Sequence, residues 1–81
     1  MEKSKLNTIV YEFRRLSDKK PNDTVNEFKL NIVNELLAEA NNELEELGSG
    51  TPISGFTQFD ENALPSNSDV LLVLTIYQNC F

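Results

Sequence analysis

Residues 25–47 contain neither glycine nor proline and repeat apolar side chains at helical spacing, so over a quarter of an 81-residue chain is committed to one rod. Leu30, Val33, Leu37, Ala40, Leu44 and Leu47 step by 3, 4, 3, 4 and 3, which keeps a single seam turned toward a neighbour. Val25, Phe28, Ile32 and Leu36 widen that seam in its first half. In the second half the seam is narrow and flanked by Glu35, Glu39, Glu43, Glu45 and Glu46. Thr24 with Glu27 three residues on has the pattern of a capping box, and Gly48 supplies a stop because glycine accepts the left-handed conformation that ends a helix.

Upstream, Leu6, Ile9, Val10, Phe13 and Leu16 fall on one face of an amphipathic helix over about residues 5–16, with Ser4 as candidate N-cap. The linker around Pro21 is short, so the two helices are expected to lie antiparallel as a hairpin. Downstream, all three glycines and one proline fall within residues 48–55, opening an 18-residue connection. Ile53, Phe56, Phe59 and Leu64 would fasten it to the helices. The last segment is two-sided. Val70 to Tyr77 is rich in β-branched residues, but Ser66-Asn67-Ser68-Asp69 is a capping sequence directly before an apolar run. The reading adopted is all-α: a helical hairpin, a long ordered loop and a third C-terminal helix in one small domain over residues 1–81. The alternative is α+β, with residues 52–59 and 70–77 as a β-hairpin.

Composition narrows function by exclusion. The chain has no histidine and a single cysteine, Cys80, which removes disulfides, the usual zinc sites and the commonest general base. No cofactor motif is present, and a non-enzymatic protein is expected. Cys80 reads as a small buried hydrophobe. The longest apolar run, Val70 to Leu74, is too short to span a bilayer, and no signal-peptide pattern opens the chain, so a cytoplasmic protein is expected. The net charge of −6 is unevenly spread: residues 1–20 carry six bases and three acids, whereas residues 21–81 carry one base, Lys29, and ten acids. Arg14, Arg15, Lys19 and Lys20 form a basic cluster without the interleaved aromatics of a nucleic-acid surface.

Two surfaces stand out. Glu35, Glu39 and Glu43 repeat at i, i+4 and i+8 and Glu46 extends the line, although like charges at this spacing repel and acids near a helix C-terminus oppose its dipole. Such a ridge suits a basic partner, as in an acidic inhibitor or immunity-type protein; a solvated face is the plainer explanation. The second surface is apolar. Ile53, Phe56, Phe59, Leu72, Ile76 and the C-terminal half of the central seam, Leu44 and Leu47 included, exceed what three short elements are expected to bury unless the long loop folds over them. The leading reading is a self-associating helical interaction module, with a homo-oligomer or another protein as partner. Neither nucleic acid nor a membrane is expected as a partner.

Overall fold

The computed structural model describes residues 2–81 and contains three helices: α1 (Lys3–Lys19), α2 (Glu27–Glu46) and α3 (Asn67–Gln78). Among the described residues there is no strand; Thr24 and Ser66 form an isolated antiparallel bridge. The all-α reading holds and the β-hairpin alternative does not.

α1 runs longer than the stretch from 5 to 16, since nothing from Lys3 to Lys19 interrupts it until Pro21 forces Lys20 out of helical geometry (φ −142°, ψ 64°). Ser4 is not its cap. Glu2 holds that position with no side-chain cap bond, and Ser4 Oγ donates instead to Glu2 Oε1 at 3.1 Å. α2 also departs from the capping box at Thr24. Asn26 is the N-cap, its Oδ1 accepting from the Lys29 amide at 3.2 Å. The cause is the bridge: the Val25 amide donates to Pro65 O at 2.9 Å, which holds residues 24 and 25 extended and sends Val25 into the core at 2% exposure. At the other end Gly48, with φ +76°, donates to Glu45 O, and Ser49 donates to Leu44 O, both at 2.9 Å. This pair of bonds is a Schellman stop and confirms the role read for Gly48.

The first amides of α3 are all engaged. Ser66 caps it as expected, its Oγ accepting from the Asp69 amide at 3.2 Å and its carbonyl from Val70 at 3.1 Å. The amides of Asn67 and Ser68 donate to Asp23 O and Pro21 O, so the α1–α2 turn completes the cap. α1 runs antiparallel to both other helices. Glu12 and Lys5 near α2's start and middle meet Lys29 and Glu39, while Asn7 meets Gln78 and Lys20 O meets Asn67. The closest backbone packing is between α1 and α3, not within the α1–α2 hairpin. The long side chains of Ile9, Glu12, Lys29 and Ile32 stand between α1 and α2.

α2 and α3 therefore run in the same direction, which explains the long connection. A 20-residue helix is about 30 Å long, and the chain must retrace it before α3 begins. Residues 49–65 form this returning strap: Thr57 lies beside Asn41, Phe59 beside Asn34 and Pro65 beside Val25. The core lies where the helices meet and includes Leu6, Val10 and Phe13 from α1, Leu30, Val33, Leu37 and Leu44 from α2, and Val70, Leu74 and Tyr77 from α3. Ile53, Phe56, Phe59 and Leu64 of the strap pack against it, half-buried. Phe28, expected to widen the seam, is instead 71% exposed, at the rim of a hollow between α1 and α2 that it lines with Ile9, Phe13 and Ile32.

Candidate functional site

The glutamates of α2 do not form one straight ridge. Each i+4 step advances a side chain about 40° round a helix of 3.6 residues per turn, so a run of three wraps across the surface. Glu35 and Glu39 are exposed, and Glu39 Oε2 lies 4.0 Å from Lys5 Nζ. Glu43 has turned inward to a half-buried, engaged position, whereas Glu46 is exposed. The apolar candidates divide in the same way. Leu44 is only 3% exposed and belongs to this chain's own core, a correction to its expected place on a partner-facing seam; α3 and the strap cover what α1 cannot reach. Leu47, one residue past α2, is 68% exposed. Phe56 and Phe59 meet edge to face, with ring centroids 5.0 Å apart, and rest half-buried on the core. Cys80 is exposed rather than buried, its Sγ 3.5 Å from Ile76 O.

The acidic face continues into a groove between α2 and the strap. One hollow of about 500 Å³ is lined by Asn31, Asn34, Glu35, Ala38, Gln58 and Glu61. It shares Ala38 and Gln58 with a second, of about 510 Å³, that reaches Asn42, Glu45, Thr51 and Thr57. Toward the start of α2 a third, of about 250 Å³, adds Glu27, Leu30, Asn62 and Leu64. Acids, amides and two threonines supply the groove's polar lining beside Leu30, Ala38 and Leu64, and no base among the described residues lines it. Glu27, Glu35, Glu45, Glu46 and Glu61 are exposed, and none is within ion-pair distance of a described base.

The bases lie elsewhere. Arg14, Lys19 and Lys20 are exposed on α1 and its turn, while Arg15 and Lys29 converge on Glu12 at 3.0 and 2.7 Å. The Lys29 hydrogen bond, followed by that of Arg15, holds the Glu12 carboxyl below its usual range. Burial raises the Tyr77 hydroxyl above its usual range, opposed by its 2.7 Å bond to Asn41 Oδ1. Both groups are held in structural contacts outside the hollows described above.

Two residues that hold this site together carried no signal that was read in the sequence. Asn34, 6% exposed, donates from Nδ2 to Phe59 O at 3.1 Å and accepts at Oδ1 from the Phe59 amide at 3.0 Å. Asn41 donates to Thr57 O at 2.9 Å and accepts from Tyr77. Their separation of seven residues places both on one side of α2, and that repeat was the available clue. No helix among the described residues is long and apolar enough to cross a membrane, and no group of three potential metal ligands occurs among them. Comparison with protein-family models, curated proteins and solved structures finds no match to this chain.

Proposed function

We propose that this protein is a non-enzymatic interaction module that docks the acidic face of α2, with the adjoining groove, on a basic surface of a partner protein. The observation that carries this reading is the separation of charge. Five exposed carboxylates along α2 and the strap, Glu27, Glu35, Glu45, Glu46 and Glu61, have no cationic partner among the described residues, while Arg14, Lys19 and Lys20 are exposed on α1 and the turn after it. Opposed potentials of this kind steer association and select partners more than they add affinity. Self-association through the central seam has less support, because Ala40 and Leu44 are 1% and 3% exposed within a single chain. A reducing, cytoplasmic setting is in keeping with one exposed, unpaired cysteine.

The test compares capture of partners by the immobilised wild-type protein and by a variant combining Glu35→Lys with Glu46→Lys. Capture that weakens with added salt and drops at least about tenfold in the variant supports the reading, because exposed charges are screened beyond about 10 Å at 0.1 M salt. Equal capture by both proteins at all salt concentrations overturns it.

A further inference from the structure

We propose that residues 49–65 act as a latch, opening as one unit while the three helices stay assembled, with Asn34 and Asn41 as its clasp. Among the described residues and between its two ends, every hydrogen bond that the strap makes to a helix involves one of these two side chains: a reciprocal pair between Asn34 and the Phe59 backbone, and one donated by Asn41 to Thr57 O. The remaining bonds of the strap, such as Phe56 N to Ile53 O and Ala63 N to Asp60 O, close on the strap itself. Its apolar anchors Ile53, Phe56, Phe59 and Leu64 are only half-buried, and three hollows run along its junction with α2. An element held by few buried contacts is the one that opens first.

α3 has no need to leave with the strap. Its start is bonded to Lys20 O, Asp23 O and Pro21 O, its end to Asn7 and Lys3, and it packs most closely on α1. Gly48 and Gly50, with φ of +76° and +69° and no atom within 4 Å of where a Cβ would sit, make the upstream hinge. Opening lifts Phe56 and Phe59 off the core beside the acidic face, so the two asparagines control access to an apolar surface that is closed in the resting protein. Asn41 also ties the latch to α3 through Tyr77. This inference stands apart from the acidic docking reading, since it concerns motion of the strap and not charge.

Native-state hydrogen exchange tests it on the wild-type chain and on Asn41→Ala. In the wild type, the Phe56 and Phe59 amides should share one opening constant with a weaker urea dependence than the mid-helix amides of Val10 and Leu74. In Asn41→Ala both strap amides should exchange faster by one common factor, about tenfold, although neither bonds to residue 41, and should keep a urea dependence weaker than that of Val10 and Leu74. Unequal acceleration of the two strap amides, or a urea dependence of the strap amides equal to that of Val10 and Leu74, overturns the latch. Should the variant not fold, the wild-type comparison decides alone: a common urea dependence for strap and helices contradicts the proposal.

Discussion

At the scale of single residues, Leu44 and Leu47 separate a covered seam from an open one. Leu44 is enclosed, so Leu44→Ala should cost about 2–5 kcal/mol in urea unfolding through lost burial and the cavity left behind. Leu47→Ala should stay within about 0.5 kcal/mol, as expected for a side chain 68% exposed. Equal effects would mean that the end of α2 is buried differently from this structure. Ser17 offers a change of opposite sign. Its Oγ is buried without a hydrogen-bond partner among the described residues, so Ser17→Ala should raise stability by about 0.5–1 kcal/mol, read from the same unfolding curves. Glu12 supplies the pH dependence. Its carboxyl is lowered in the folded protein, so its contribution is present above the unfolded value of about 4.3 and is lost as pH falls through the folded value. With the side chains one-third exposed, the contribution is small, within about 1 kcal/mol. Lys29→Met should weaken the dependence of stability on pH over that acid window, with Arg15 retaining part of it, as read from unfolding curves at a series of pH values.

At the scale of elements, local chemistry was most legible where neighbours did not compete for the same groups. Ser66 and Gly48 occupy the terminal positions read for them because their capping bonds close within a few residues. Thr24 failed as a cap because its backbone is drawn into a bridge with Ser66, forty-two positions away, and Asn26 inherited the task. Such long-range pairing leaves no local trace. The strap illustrates the same limit. Its apolar anchors could be picked out, yet its path depends on α2 and α3 running in the same direction, which no single segment encodes. The two caps can be tested against each other: Asn26→Ala should destabilise by about 0.5–2 kcal/mol in thermal or urea unfolding, with Thr24→Ala nearer zero. The reverse ranking would restore Thr24 as the start of α2.

At the scale of the whole molecule, α2 organises both sides of the protein. One side is closed by α1, α3 and the strap; the other presents Glu35, Glu39 and Glu46 to solvent and borders the acid-lined groove. The sequence announced the rod, the charge imbalance and two of the three helix directions through the short first linker. It left open whether the long loop would cover the second half of the seam, because that coverage comes from a segment that first runs back along the entire helix. The open side of α2 is consequently charged more than apolar, with Phe28 at the hollow it lines with Ile9, Phe13 and Ile32, Leu47 just past the end of α2 and Leu72 on α3 as exposed apolar residues. The most direct test is the salt dependence of partner capture by the wild-type protein, set beside Glu35→Lys/Glu46→Lys and Phe28→Ser/Leu47→Ser variants. An acidic docking face predicts binding that falls with salt, is lost on charge reversal and survives the serine substitutions; binding that ignores salt and charge reversal but disappears with Phe28 and Leu47 would contradict it.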